Sequence, residues 1–196
     1  FEIKKGDKIG IFGPSGIGKS TLFRLLLRFY DPNFGTISFN HIDLKDLSFN
    51  EIYQRIGMLE QETYLFDDTI FNNIALAKEG ASLDEVKKAA EKAGIASLID
   101  TLPEGYNTEM GQMASRLSGG EKQRIGIARI MLACPDIIVM DEPTSALDVF
   151  HEKELLHTLK TEYSDATWLI ISHRMSTLTC CNRLYKLENG QLIQIN

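Results

Sequence analysis

The chain has 196 residues, 43% of them hydrophobic and 24% charged, with a formal net charge of −6 at pH 7. Such proportions are those of an ordinary globular domain, and the acidic balance argues against a nucleic-acid partner. The longest apolar runs, Ile137 to Met140 and Trp168 to Ile171, fall far short of the roughly 20 residues that a membrane span requires.

No signal-peptide pattern is present. The chain starts at Phe1, already inside a strand-like stretch, which suggests a piece of a longer polypeptide. Cys134, Cys180 and Cys181 show no metal-type or C-x-x-C spacing and read as small buried apolar residues in a reducing compartment.

Taken in chain order, Lys8 to Phe12 is β-prone and runs into a glycine-rich turn. Leu22, Leu25, Leu26 and Phe29 stand at i, i+3, i+4 and i+7 and predict a helix with one buried face, stopped by Pro32. Thr36 to Asn40 alternates like a strand. Glu51 to Arg55 reads as a short helix and Ile56 to Leu59 as a strand leading into Gln61. From Asp67 to Arg116 the character becomes helical. Ser82 and Glu85 form a capping box, Val86, Ala89, Ala90 and Ala93 make an apolar face, and Gly94 ends that helix.

The α/β pattern returns after Glu121. Ile125, Ala128 and Leu132 share a helix face, closed by Pro135. Ile137 to Met140 and Trp168 to Ile171 read as parallel strands buried on both faces, with Leu155, Leu156 and Leu159 on a helix between them. Arg183 to Leu187, a turn at Asn189-Gly190, and Gln191 to Ile195 predict a hairpin. This divides the chain into an α/β core, 1–62 and 121–196, and a helical subdomain, 63–120.

Gly13-Pro14-Ser15-Gly16-Ile17-Gly18-Lys19-Ser20 fits G-x-x-x-x-G-K-[ST] and lies between a strand and a helix, the context that a phosphate loop needs. Its backbone would wrap the phosphates, Lys19 would neutralise the β/γ-phosphates, Ser20 would offer a hydroxyl to Mg²⁺, and Thr21 would support the α-phosphate. Asp141 ends a buried strand and would hold Mg²⁺. Glu142, next to it, is the candidate base that polarises the attacking water. Ser118, Gly119 and Gly120 precede an apolar-faced helix and form a second phosphate-binding feature. One nucleotide needs only one such feature from one chain, so the pair points to a head-to-tail dimer in which Ser118 to Glu121 faces the partner's nucleotide.

These motifs, in this order, resemble the nucleotide-binding domain of an ABC transporter. Leu117-Ser118-Gly119-Gly120-Glu121 resembles the family's signature. Gln61 resembles the glutamine that senses Mg²⁺ and the attacking water, Asp148 the aspartate that bridges the two subunits, and His173 the switch histidine on the γ-phosphate. The resemblance implies a P-loop NTPase, RecA-like core with an inserted α-helical subdomain, the ABC ATPase fold, here lacking its N-terminal strands and the aromatic residue that stacks on adenine. Of the aromatic residues near the loop, Phe12 is expected in the core and Phe1 beneath the sheet.

Thr108-Glu109-Met110-Gly111, Leu65-Phe66, Thr69-Ile70 and Asn73-Ile74 resemble exporter domains, where these places meet the transmembrane domain. Gln112 departs from the exporter continuation, and Arg116 stands where that pattern is less uniform. The implied protein hydrolyses ATP with Mg²⁺ on the cytoplasmic face of a membrane. Its implied partners are a second ATPase domain, identical or different, and a transmembrane domain N-terminal on the same chain. An importer ATPase is one alternative. A mechanical ABC ATPase of chromosome maintenance or DNA repair is another, disfavoured because no heptad run is present and the acidic charge does not suit DNA. A catalytically dead module is disfavoured by the presence of Lys19, Asp141, Glu142 and His173.

Overall fold

The structure, a computed structural model, describes residues 1–114, 117–145 and 147–195; Arg116, Ala146 and the side chain of Gln112 lie outside the described residues. Contacts divide the chain into two compact units: 1–58, 135–142 and 165–196 form the first, and 59–134 with 143–164 the second.

The first unit is built on a sheet. Its strands are β1 (Lys8–Phe12), β4 (Ile56–Leu59), β5 (Ile137–Asp141), β6 (Thr167–Ile171), β7 (Arg183–Glu188) and β8 (Gln191–Gln194), in the order β4-β5-β6-β1-β7-β8. β5, β6, β1 and β7 run parallel to one another, with Met140 opposite Ile170 and Gly10 opposite both Ile170 and Leu184. β8 returns antiparallel to β7 after a turn in which Asn189 and Gly190 both take positive φ. All five residues of β6 are buried, which explains why its sequence is apolar without alternation. Ile9, Ile11, Val139, Leu169 and Ile171 form the core together with Phe23 and Leu27.

The helix after the glycine-rich loop, α1, spans Lys19–Leu26 and departs from expectation twice. It ends well before Pro32, because Arg28 takes a left-handed conformation at φ 55° and Phe29 N–H turns back to the carbonyl of Arg24. The Arg28 guanidinium then ties the turn to the carbonyls of Leu44 and Leu47. The buried face is also one residue out of phase. Phe23 and Leu27 are in the core, Leu22, Leu25 and Leu26 are half-buried, and Phe29 is 51% exposed.

The strand expected over Thr36 to Asn40 is only β2 (Ser38–Phe39), paired with β3 (Ile42–Asp43) across two left-handed residues, Asn40 and His41. Helix α2 (Phe49–Arg55) is longer than Glu51 to Arg55, because Ser48 and Glu51 form a capping box. Phe12 is half-buried at the end of its strand and does not belong to the core. Phe1 is 63% exposed and packs edge-on against Tyr185, with ring centroids 4.8 Å apart, so it does not lie beneath the sheet.

The second unit is helical: α3 (Ile70–Ala75), α4 (Leu83–Lys92), α5 (Ala96–Thr101), α6 (Met110–Met113), α7 (Gly119–Ala133) and α8 (Val149–Glu162). The Ser82–Glu85 capping box starts α4, and Val86, Ala89, Ala90 and Ala93 are buried as the pattern requires. α3 and α4 pack on α7, whose Ile125, Ala128 and Leu132 are buried. The short helix α9 (Met175–Leu178) belongs to the first unit.

The cysteines are not core residues. Cys134 is exposed at the left-handed end of α7, Cys180 and Cys181 are half-buried, and none forms a disulfide.

The phase of α1 is testable. Phe23→Ala removes a fully buried ring and should cost about 3–5 kcal/mol in urea unfolding. Phe29→Ala should cost about 1 kcal/mol or less. The reverse order would contradict the packing of this helix.

Candidate functional site

Three loops leave the sheet at the carboxyl ends of neighbouring parallel strands. Gly13 to Gly18 follows β1, Ser172-His173 follows β6, and Glu142 follows β5. Open α/β sheets bind their ligands at that edge.

The first loop is shaped by two glycines. At Gly13 a Cβ would lie 2.7 Å from the carbonyl oxygen of Leu187 on β7, so only glycine lets the loop leave so close to its neighbour. Gly18, at φ 103°, is the N-cap of α1 and donates the backbone turn that starts the helix. No side chain caps α1, and its first turn holds no acidic residue. The N–H groups of Lys19, Ser20 and Thr21 and the positive end of the helix dipole are thus presented to an anion. Lys19 Nζ donates to the carbonyls of Gly13 (2.8 Å) and Pro14 (2.9 Å), folded back over its own loop.

Glu142 is the most firmly held of the predicted residues. Its backbone is left-handed at φ 48°, and its N–H donates to the carbonyl of Ile171 at 2.9 Å. This turn resolves the alternation of a strand, letting Asp141 and Glu142 both serve one edge. The Glu142 side chain, 13% exposed, accepts from the backbone N–H of His173 on both oxygens (3.0 and 3.3 Å) and from Ser172 Oγ on Oε2 (3.2 Å). His173 Nδ1 lies 2.9 Å from the same oxygen. Glu142 and His173, distant in sequence, are therefore one hydrogen-bonded unit. Ser172, fully buried, was not singled out from the sequence; a serine at a strand end carries no signal beyond a turn. Asp141 takes no hydrogen bond on its carboxylate among the described residues, leaving hard oxygen atoms for a cation.

Gln61, the Ser118 turn and Asp148 lie in the helical unit. Gln61 is exposed and makes no side-chain hydrogen bond among the described residues. Ser118 N-caps α7 in a closed box. Its N–H and hydroxyl donate to Glu121 Oε2 at 2.7 and 2.9 Å, and its Oγ accepts from Glu121 N–H at 3.3 Å. Ser118 and Gly119 are exposed, and Gly120 and Glu121 half-buried. Asp148 N-caps α8, accepting from the N–H groups of Phe150 (2.9 Å) and His151 (3.0 Å), with His151 Nδ1 at 2.7 Å. These hydrogen bonds hold its carboxyl below the usual range, the backbone N–H of His151 foremost.

A glycine loop on an uncapped helix, beside a held carboxylate and histidine, defines a P-loop nucleoside-triphosphate protein. Comparison with known proteins sharpens this. Residues 1–145 match the family model described as "ABC transporter". The chain is 44% identical over 190 residues to a "Probable ABC transporter ATP-binding/permease protein" of Haemophilus influenzae, covering 97% of this chain and 34% of that protein. It is 43% identical over 194 residues to an "ATM1-type heavy metal exporter" of Novosphingobium aromaticivorans, covering 99% of this chain and 32% of the other. It superposes with TM-score 0.92 and 43% identity on a solved bacterial Atm1-family ABC exporter with ATP bound, over 98% of this chain and 34% of that one. The chain belongs to the ABC transporter family and has the fold of its ATPase domain. It spans about a third of the length of these relatives.

The close approach at Gly13 gives a direct check. Gly13→Ala must push the loop away from β7 and should destabilise the protein by about 1–3 kcal/mol, the usual cost of overpacking. An unchanged urea midpoint would contradict the loop geometry.

Proposed function

We propose that this chain binds MgATP, hydrolyses it within a head-to-tail pair of such domains, and thereby powers export across a membrane. The observation that carries the catalytic part is the grip of Ser172 and His173 on Glu142, at the sheet edge that also bears the phosphate loop. In this reading Lys19 leaves the carbonyls of Gly13 and Pro14 for the β- and γ-phosphates, while the loop and the first N–H groups of α1 hold the rest of the chain of phosphates. Mg²⁺ would be held by Ser20 and Asp141, with Gln61 as a further oxygen donor, and would neutralise charge on the β- and γ-oxygens. No cluster of three acidic, histidine or cysteine side chains able to hold a metal is found among the described residues. That suits an ion bound by one or two protein oxygens plus phosphates.

Glu142 orients the attacking water and takes up its proton. Ser172 and the His173 N–H keep the carboxylate in place, and His173 Nε2 is left for the γ-phosphate. Closing the pair brings Ser118 to Glu121 of one chain onto the nucleotide of the other, so the phosphate must take Ser118 donors from the Glu121 carboxylate. Asp148 would bridge the two chains of the closed pair.

The transport half of the proposal rests on relatives. One is described as ATP-binding and permease together, another as an exporter, and this chain covers a third of each. No helix among the described residues is long and apolar enough to cross a membrane. In this reading the membrane-spanning part and the second ATPase domain are partners of these residues, and the domain works on the cytoplasmic face. The family match and the exporter likeness favour export over the importer and mechanical alternatives.

Lys19→Ala should lower ATP turnover by about 100-fold or more and weaken ATP binding; unchanged steady-state turnover would remove the site. Glu142→Gln should lower kcat by about 10²–10⁴-fold, the worth of a positioned general base. It should still bind ATP and accumulate closed pairs on size-exclusion chromatography with MgATP. Ser172→Ala should reduce kcat while leaving the KM for ATP nearly unchanged, and should lower stability by about 1–3 kcal/mol in urea unfolding because Arg174 N–H also loses its acceptor. A matching rise in KM would show that Ser172 serves binding and not the placement of Glu142.

A further inference from the structure

Helix α8 opens on a carboxylate with one oxygen filled and the other held. Asp148 Oδ1 accepts from the N–H groups of Phe150 and His151 at 2.9 and 3.0 Å, which completes the N-cap. Two donors fill the lone pairs of that oxygen. Oδ2 has one partner among the described residues, His151 Nδ1 at 2.7 Å. Withdrawing Oδ1 would leave two N–H groups without their acceptor. A donor arriving from another chain therefore comes to Oδ2, where it either shares the oxygen with the imidazole or displaces the ring.

Both outcomes are open to it. The Asp148 and His151 side chains are 63% and 45% exposed. The ring's other printed neighbour is the edge of Phe150, with centroids 5.6 Å apart, and Phe150 is itself exposed. The imidazole can leave without unpacking the helix.

The charges around the ring set which protonation state it prefers. The cavity that His151 lines is lined also by Glu91 and Lys92 of α4, Arg124 of α7, and Glu154 and His157 of α8. Arg124 pairs with Glu154 at 3.2 Å, and Lys92 with Glu162, so these charges offset one another. Glu91, which forms no ion pair among the described residues, favours a charged ring at His151. His157 opposes it only when protonated itself. Asp148 is the carboxylate that touches the ring, and its hydrogen bonds hold its carboxyl below the usual range. It is therefore ionised throughout the interval from about pH 5 to pH 8 in which histidines change charge. A neutral imidazole with its proton on Nδ1 still donates to Oδ2. A protonated one does so with a full charge, the stronger of the two bonds.

We propose that His151 is a positioning residue that keeps Asp148 on its own helix, and that protonation of its ring opposes the bridge from Asp148 to the second ATPase domain. That Asp148 bridges at all rests on the function proposed above; the hold of His151 on Oδ2 does not. The sign follows from charge. With the ring protonated, a cation is bound to the carboxylate and the open pair is favoured. With the ring neutral, a single uncharged hydrogen bond remains, which an incoming donor replaces readily. Closure of the pair therefore strengthens as pH rises through the midpoint of His151. Exposed charge pairs of this kind shift an equilibrium by about 2- to 5-fold, so the effect tunes closure and does not abolish it.

The experiment uses the full-length protein and has two arms. The first reads the hold. Deuterium exchange at the imidazole C2 position, followed by mass spectrometry across pH, reports the midpoint of His151 itself. In Asp148→Asn that midpoint should fall by about 0.3–0.7 in pH, the same 2- to 5-fold. An unmoved midpoint overturns the hold. The second arm reads closure, as MgATP retained after rapid desalting by Glu142→Gln, in which slow hydrolysis preserves the closed pair. Adding His151→Gln, which keeps a donor and loses the charge, should lower the half-saturating MgATP by about 2- to 5-fold near pH 6 and change it by less than about 1.5-fold near pH 8. Both proteins share Glu142→Gln and His173, so any titration there cancels in the ratio. A ratio equal at the two pH values, or reversed near pH 6, overturns the proposal. In Asp148→Asn the effect of His151→Gln should vanish; its persistence would show that the ring acts elsewhere and overturns the proposal equally. Should Asp148→Asn leave the half-saturating MgATP unchanged near pH 8 while the first arm shows the hold, the bridging role of Asp148 is what fails.

Discussion

Everything proposed for the first unit depends on β6 lying between β5 and β1, with all three parallel. Parallel neighbours end at the same edge, so three loops far apart in sequence leave the sheet side by side. A single strand in the reverse direction would move Glu142, Ser172-His173 or the phosphate loop to the opposite edge. The position demands a strand buried on both faces, and Thr167 to Ile171 meets that demand. The backbone of Glu142 is the local consequence. A left-handed non-glycine residue costs on the order of 1–2 kcal/mol. Glycine would relieve that strain but could not carry the carboxylate. The strain is offset by the bond from Glu142 N–H to Ile171 and by the groups that hold the carboxylate, and such outliers collect at functional sites.

The parallel strands, the hairpin and helix α4 were legible because each carries a pattern with one solution. Ile137 to Met140 and Trp168 to Ile171 are too short for helices and too apolar for an exposed face. Asn189-Gly190 suits two left-handed residues, and Ser82 with Glu85 marks a helix start. The phase of α1 was not legible, because Leu22, Phe23, Leu25, Leu26, Leu27 and Phe29 are all apolar and several faces fit the same period. Its end was hidden for a different reason. The left-handed residue is Arg28, stabilised by the distant carbonyls of Leu44 and Leu47, and nothing at position 28 announces that. Ser48 and Glu51 did carry a readable box, and α2 starts where they place it.

The site shows the same division. The phosphate loop could be read from spacing, since its chemistry is local to eight residues. That Glu142 and His173 serve one site could be read only through a family resemblance, and the hydrogen bonds between them were not legible at all, since sequence distance hides adjacency. Ser172 was beyond reach. It acts on a group whose position is set by tertiary packing, and its residue type is not unusual where it stands. The cysteines mark the limit of composition as a guide: a small apolar side chain tolerates burial but does not require it, and Cys134 ends a helix at the surface.

The two glycine-rich helix starts differ in one respect that bears on how a shared nucleotide site would operate. α1 has no cap and no acid in its first turn, so its dipole and N–H groups have no competing partner within the protein side chains. α7 carries its own carboxylate, with Glu121 Oε2 taking both donors of Ser118. An anion therefore meets the N–H groups of α1 without displacing a carboxylate, drawing only Lys19 from the neutral carbonyls of Gly13 and Pro14, whereas at α7 it must replace an existing charge-assisted contact. Under the proposed mechanism this imposes an order. Nucleotide first occupies the phosphate loop of one chain, and the signature turn of the other engages only when a γ-phosphate offers more than Glu121 already supplies. A diphosphate, lacking that group, leaves the capping box as the better partner. The difference in capping between two otherwise similar helix starts would then make closure sensitive to hydrolysis, with no further moving part required.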